Sequence, residues 1–288
     1  MSTYYEKVFL ARAEYELIYE QGGQKRTHAS NEGKTVVFNR FSPLSIITAS
    51  LTEGSNPAEV SLTGASVSVT LAEYGNTIKM SKFLTLTSID VNNREKIAVL
   101  GQNMGESLDQ LVRTELLNGT TVYANAKAAT SDFASTDTFD AADIKASVKN
   151  LEVQKAITYP DGMFLGKVGP VVKAQLLGDS TWINAKTYSD VKDLYRGEMG
   201  ELYQVRFLLS KNPKTATVNS LASSQYSFIH GAEAFGVYDL EGDKPKLVLT
   251  TGVDSNNPTG RYSLASWVGV YAVKVLNENW IQVLISAA

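Results

Sequence analysis

Leu51–Ser81 reads LTEGSNPAEVSLTGASVSVTLAEYGNTIKMS, a turn followed by a long Ser/Thr-rich alternating run. Glu53-Gly54-Ser55-Asn56-Pro57 is turn chemistry: glycine supplies unusual φ, and asparagine and proline favour a tight reversal. Beyond it, Val60 and Leu62 share one phase, and Ala65, Val67, Val69 and Leu71 the other. The slip at Gly64 predicts a bulge or bend. Read as one strand, Val60 to Tyr74 spans ~50 Å at ~3.3 Å per residue. Ordinary strands run about 17–20 Å. A strand this long must leave the domain body. Paired with the chain before the turn, it makes a projecting two-stranded ribbon. Such a ribbon is marginal alone in water, so its apolar face needs a neighbour.

The flanks extend the pattern. Thr35 to Ile47 is rich in Val, Phe and Ile, with Pro43 interrupting it, and reads as one or two strands with the proline at an edge or bend. After the ribbon, Ser88–Glu95 carries helix-start signals. Asn92 and Glu95 sit at capping-box spacing, and Asp90 is an equally good cap. Ile97, Leu100, Met104, Leu108, Leu111 and Val112 then hold one face, with Asn118-Gly119 as the C-cap. The predicted helix, 91–118, is about 40 Å long. Upstream, Val8, Phe9, Ala13, Leu17 and Ile18 have helical spacing within Tyr4–Glu20. QGGQKRTHASNEG after it reads as a mobile connector.

In the second half, Asp140 or Ala141 starts a helix with Ile144, Val148, Leu151 and Val153 on its apolar side. Tyr159-Pro160-Asp161-Gly162 is a turn. A strand over Met163–Val168 is followed by a short helix, Val171–Leu177, opened by Gly169-Pro170. Val205–Ser210, Gln225–Ile229, Phe235–Leu240 and Lys246–Thr250 read as strands, and Thr251–Gly260 as a polar loop. Leu264–Val275 and Trp280–Ile285 are two Val-rich strands joined through Leu276–Asn279. There is no internal repeat and no regular βαβ alternation, so the predicted class is α+β.

Composition narrows the function. The 288 residues, 43% hydrophobic and 20% charged, are ordinary for a soluble globular chain. No run of about 18 apolar residues predicts a membrane span, and the N-terminus lacks the apolar core of a signal peptide. There is no cysteine, hence no disulfide, thiolate ligand or thiol nucleophile. Net charge is −3, and the first forty residues mix both signs, unlike a DNA-binding arm.

Enzyme motifs fail on inspection. His28 and His230, the only histidines, read as a surface turn residue and a locally hydrogen-bonded one. Gly33-Lys34-Thr35 lacks the P-loop glycine five residues earlier, where His28 stands, and Gly166-Lys167 is followed by Val168. Asp132, Asp137, Asp140 and Asp143 are explained by acids gathered at a helix N-terminus better than by calcium. Asp254–Asn257 reads as a turn. Asn118-Gly119-Thr120 matches a glycosylation acceptor but falls at the helix end. No catalytic residue, cofactor or metal ligand is predicted. The 14 tyrosines suit interfaces. A well-patterned chain with a projecting ribbon and no catalytic constellation points to a structural or assembly protein.

The order of motifs resembles the tailed-phage major capsid proteins of the Hong Kong 97-type fold, specifically the N-four-type family. Leu51-Thr52-Glu53-Gly54 and Pro57 are followed by Val69-Thr70-Leu71 and Tyr74-Gly75. Leu116, Gly119, Thr120 and Tyr123 close the long helix. Then come Trp182, Ala185, Tyr188-Ser189, Gly197-Glu198-Met199-Gly200, Val205-Arg206-Phe207 and Gly231-Ala232-Glu233-Ala234-Phe235. Asp254, Trp267 and Val275-Leu276-Asn277 complete the series. The specificity lies in order and spacing, since no single motif is distinctive. The loop Ser255–Arg261 departs from the family's usual run.

The resemblance implies a layout. Residues 1–34 would be an N-terminal arm lying along a neighbouring subunit, and 48–82 an extended loop over an adjacent one. Residues 35–47, 83–139 and 261–288 would form the peripheral domain, with the spine helix at 91–118. Residues 140–260 would form the axial domain. The implied function is a self-assembling shell of pentamers and hexamers around double-stranded DNA. The expected contact residues are Leu51, Glu53, Val60, Leu62, Val67, Val69, Leu71 and Tyr74 of the loop, and Tyr4, Tyr5 and Phe9 of the arm. Expected partners are further copies of the chain, a separate scaffolding protein, a portal and a decoration protein. The DNA would be enclosed without sequence-specific binding, and no membrane is involved. The implied location is the virion, with assembly in the host cytoplasm. An encapsulin-type compartment shell is the alternative on the same fold, and a soluble enzyme the alternative from another class.

Overall fold

The longest strand organises one half of the molecule. In the computed structural model, which describes all residues except 1, 30–31, 42–43, 49, 52, 58, 83–92, 180, 182–199, 242, 251 and 254–256, β13 (Tyr262–Val275) is paired along both edges. On one edge it takes β4 (Ala72–Ser81), from Tyr262 opposite Ser81 to Tyr271 opposite Ala72. On the other it takes β12 (Lys246–Thr250) and then β11 (Phe235–Leu240). β1 (Gln24–His28) joins β11 in parallel and completes the five-stranded first sheet.

The second sheet has seven strands, β5 (Thr120–Tyr123), β14 (Ile281–Ser286), β10 (Leu221–His230), β6 (Phe164–Val168), β8 (Val205–Leu209) and β7 (Glu201–Leu202) in that order, with β9 (Lys214–Val218) also on β10. This sheet is covered on both faces, so β14 is buried at every position. Alternation sorts its side chains. Phe228, Ile281 and Val283 face one core; Ile229 and Leu284 face the other. The second core is closed by α3 (Ala141–Val153) and α4 (Pro170–Gly178) through Ile144, Val148, Leu151, Val172 and Leu176.

The first core is closed by α2 (Asn93–Leu116). Ile97, Leu100, Met104, Leu108, Val112 and Leu116 are all buried along it. Each contributes at most about 1.5–3 kcal/mol of apolar burial. α1 (Ser2–Glu16) lies against α2 at backbone contact distance. Gly101 and Gly105 permit this: a Cβ at either would sit 2.5 Å from the carbonyl oxygen of Phe9 or Ala13. A capping box starts α3. Asp140 accepts the N–H groups of Ala142 and Asp143 at 2.9 and 3.0 Å, and Asp143 accepts that of Asp140 at 3.3 Å. The acidic cluster is thus in part a helix cap.

Several expectations change. The strand expected from Val60 to Tyr74 is two strands in different sheets. β3 (Gly64–Thr70) pairs with β2 (Thr35–Phe41), Gly64 opposite Phe41 and Thr70 opposite Thr35. At Leu71, whose N–H bonds the Lys34 carbonyl at 2.9 Å, the chain leaves the ribbon and enters β4. Gly64 opens β3 instead of interrupting a longer strand. The first helix stops at Glu16, and the connector after it contains β1. Residues 2–28 are therefore folded onto their own chain through α2 and β11. Gly119 is a close-approach glycine, not a left-handed cap: a Cβ there would lie 2.6 Å from Ile281 Cγ2. The two C-terminal strands part company, β13 in the first sheet and β14 in the second. β11 and β12, placed by sequence in the 140–260 block, also belong to the first sheet. The motif residues Trp182–Met199, Thr52, Pro43, Asp254 and the helix start at 91–92 lie outside the described residues.

Candidate functional site

The ribbon has a fixed root and a free tip. At the root, Phe38, Val69 and Leu71 are buried against Tyr238 and Ala272. Phe38 stacks on Tyr238 at 4.5 Å, and the Arg26 guanidinium lies 5.0 Å over the Phe38 ring. Between Phe41 and Gly64 the described apolar side chains face solvent. Ile46 is 84% exposed and Ile47 75%, and Leu44, Leu51, Val60 and Leu62 are all more than half exposed. Polar turn residues Gly54, Ser55 and Asn56 lie between them, also exposed. A contiguous stretch of this kind marks an interaction surface.

The expected contact residues divide accordingly. Leu51, Glu53, Val60, Leu62 and Tyr4 are exposed. Val67, Tyr74 and Tyr5 are half-buried against their own chain. Phe9, Val69 and Leu71 are buried, and this corrects their assignment as contacts. Phe9 packs under α2, and the other two fasten the ribbon to the first sheet. Leu44, Ile46 and Ile47 are exposed tip residues that the contact set omitted. Their signal was present in the run Leu44-Ser45-Ile46-Ile47, which reads as a core strand until its partner strand is counted.

Beside the root lies a cleft of about 560 Å³ lined by Arg26, Phe38, Arg40, Lys155, Ile157 and Trp280, among others. Its charged lining is Arg26, Arg40, Lys155 and Glu233. These groups provide neither a carboxylate pair nor a histidine for proton transfer. Among the described residues, no group of three or more His, Asp or Glu is placed to hold a metal ion. None of their helices is long and apolar enough to cross a membrane.

A second feature is buried where the sheets meet. The turn Ile18–Gly23, after α1, is held by polar groups from both sides. Asp109 of α2 accepts the Tyr19 N–H at 2.5 Å, and Lys167 of β6 donates to the Tyr19 carbonyl at 2.6 Å. Tyr159 donates to the Gly22 carbonyl at 2.7 Å, and Tyr271 of β13 to Glu20 at 3.3 Å. Tyr19 meets Phe228 edge to face at 5.6 Å. Gly22 is required here: its φ is +84°, and a Cβ would lie 2.4 Å from Tyr159 Oη and 2.9 Å from His230 Cε1.

Burial governs the charges in this cluster. It pushes the Asp109 carboxyl up from 3.8 to about 7, against the backbone N–H groups and the Lys167 ammonium. It pulls Lys167 down from 10.5 to about 7, against Asp109 and Glu20. His230 is fully buried and held well below 6.5 by burial, with Lys167 adding to the effect. It is the locally hydrogen-bonded residue that its sequence context implied, with Nδ1 3.1 Å from the Gly231 carbonyl, and it is wholly buried. The P-loop test discarded Lys167, yet an alternating strand, Phe164–Val168, with Phe164 and Val168 in one core already pointed Lys167 at the other.

Comparison with solved structures decides the fold. The chain is similar to the capsid of the cyanophage P-SCSP1u, with 16% identity, a TM-score of 0.68, and coverage of 94% of this chain and 88% of that one. It is similar to the capsid of Ralstonia phage GP4 at 12% identity and a TM-score of 0.71, over 94% and 88% of the two chains. The fold is the Hong Kong 97-type capsid fold. A virus-like particle from Pyrococcus furiosus also matches this capsid fold, at 11% identity and a TM-score of 0.57, over 98% of each chain. The sequence matches no protein-family model. It matches no curated protein either.

Proposed function

We propose that the chain is the major capsid protein of a tailed phage, assembling into pentamers and hexamers of an icosahedral head around double-stranded DNA. The observation that carries this reading is the apolar ribbon tip without a partner among the described residues, on a fold shared over nine-tenths of its length with phage capsids. Closed rings of identical chains need heterologous contacts. A tip that buries its side chains on a different patch of the next copy supplies one. Six half-exposed side chains offer a gross gain on the order of 10 kcal/mol, before the costs of ordering and association.

Within this reading the N-four-type family is favoured by the motif order from Leu51 to Asn277. The first sheet with α1 and α2 is the peripheral domain, the second sheet with α3 and α4 the axial domain, and 48–82 contains the extended loop. The chain is a structural protein of the virion, not an enzyme, built in the host cytoplasm. Scaffolding, portal and decoration proteins are its expected partners, and the DNA is enclosed without base-specific contact. Electron microscopy of the assembled product tests this: shells with DNA-sized interiors and a portal vertex are expected. Chain that stays monomeric at high concentration with assembly partners present would sink it. The likeness to the Pyrococcus furiosus virus-like particle favours a compartment shell as the second reading. Small closed shells that co-purify with an enzyme would select it.

A further inference from the structure

The Ile18–Gly23 turn touches α2 and both sheets. It meets α2 at Asp109, the first sheet at Tyr271 and Phe235, and the second at Lys167, Phe228 and His230. Its own carbonyls, on Tyr19 and Gly22, accept from Lys167 and Tyr159. Such a segment is a clamp that combines the buried Tyr19 ring with buried polar contacts. Its hold depends on which of those groups are charged.

The imidazole state follows from hydrogen-bond accounting. The Tyr159 hydroxyl has one proton, and its shortest contact is to the Gly22 carbonyl at 2.7 Å. His230 Nδ1, 3.1 Å from both Tyr159 Oη and the Gly231 carbonyl, is then the donor. Nε2 carries the lone pair, buried and without a partner among the described residues. A proton added at Nε2 therefore has no acceptor among the described residues. It creates a cation 5.2 Å from the Phe235 ring, which already carries the Lys167 ammonium at 4.7 Å.

We propose that the Ile18–Gly23 turn is an acid-released latch between the two sheets, with His230 as the group whose protonation opens it. Charged groups face this cluster from several elements, and Asp109 among them opposes the release, because its raised pKa favours the folded state in acid. Glu20 faces the cluster from the turn itself, paired with Lys25 of β1 and bonded by Tyr271. Asp109 and Arg113 face it from α2, Arg113 being turned to the side chain and carbonyl of Asn212. Asp161 acts on Tyr159 and is paired with Arg206. Acid neutralises Asp109, which removes one anion that faces Lys167. Protonated His230 then adds a second buried cation. The turn is released because the added Nε2 proton has no acceptor among the described residues and its charge joins that of Lys167 beside the Phe235 ring. This device lies within one chain and stands apart from the assembly reading.

Hydrogen exchange read by mass spectrometry on the full chain tests it. After correction for intrinsic rates, amides of residues 17–23 are expected to lose at least tenfold protection between pH 7.5 and pH 4.5, while those of β14 hold. His230→Gln should abolish the difference between the two pH values. Tyr159→Phe, which frees the Gly22 carbonyl, should expose residues 17–23 already at pH 7.5. Equal protection of the wild type at both pH values overturns the proposal. So does a pH-dependent loss in His230→Gln as large as the wild type's. If His230→Gln does not fold, unchanged protection in Tyr159→Phe overturns it.

Discussion

The Lys167 ammonium, wholly buried in β6, ends on the carbonyl oxygen of Tyr19 at 2.6 Å. One side chain thus ties the second sheet to the turn after the first helix. Burial lowers its pKa from 10.5 to about 7. Between those values the folded chain holds fewer protons than the unfolded chain, so stability rises with pH across that window. The slope is at most about 1.4 kcal/mol per pH unit. Urea midpoints at pH 7.5 and 9.5 should show this rise in the wild type and lack it in Lys167→Met. Equal slopes in the two proteins would remove the charge from the account.

Asp109 carries the opposite sign. Its pKa is raised from 3.8 to about 7. Its favourable contribution is therefore complete below 3.8 and is lost as pH rises towards about 7. Asp109→Asn keeps an oxygen acceptor for the Tyr19 N–H but does not ionise. Relative to wild type, the variant should gain a few kcal/mol between pH 4 and pH 7.5, measured by denaturant unfolding at both. A constant difference across that range would contradict the assignment.

Periodicity made some of this architecture legible and hid the rest. α2 was readable because Ile97 to Leu116 repeats every three to four residues over one buried face. The ribbon was readable from its turn, but its length was overestimated. Alternation continues unbroken through Thr70, Leu71 and Ala72 while the backbone changes partner from β2 to β13. A local pattern records which face a residue uses, not which strand it meets. β1 was missed because QKRTH has no apolar residue; β11 supplies its backbone partners. The buried cluster was invisible because Tyr19, Asp109, Lys167 and His230 come from four separate elements. Each taken alone reads as an ordinary surface polar residue.

The contact of α1 with α2 should be intolerant of a single methyl group. Gly101→Ala and Gly105→Ala each gain up to about 1 kcal/mol of helix propensity. Each also drives a Cβ to 2.5 Å from the α1 backbone, which a flexible side chain cannot relieve. Overpacking of this kind costs about 1–3 kcal/mol. Thermal unfolding should show a net loss for both variants, and exchange protection in α1 should fall first. A gain in Tm for either would mean that α1 does not sit on α2 as described.

The ribbon separates stability from association along its own length. Ile46 and Ile47 have almost no contact with their chain, so Ile46→Asp with Ile47→Asp should change unfolding free energy by no more than about 0.5 kcal/mol each. If the tip docks on another copy, the same pair should abolish assembly, read by sedimentation and electron microscopy. Phe38→Ala, at the root, should behave in the reverse order. It removes the ring stacked on Tyr238 and should cost about 3 kcal/mol before any effect on association. Replacing residues 44–62 by a short turn should likewise leave a folded chain that does not assemble, because β2 and β3 keep their ladder and their contacts with the first sheet. Intact shells from the double aspartate variant would show that the exposed tip is not the surface that joins the copies.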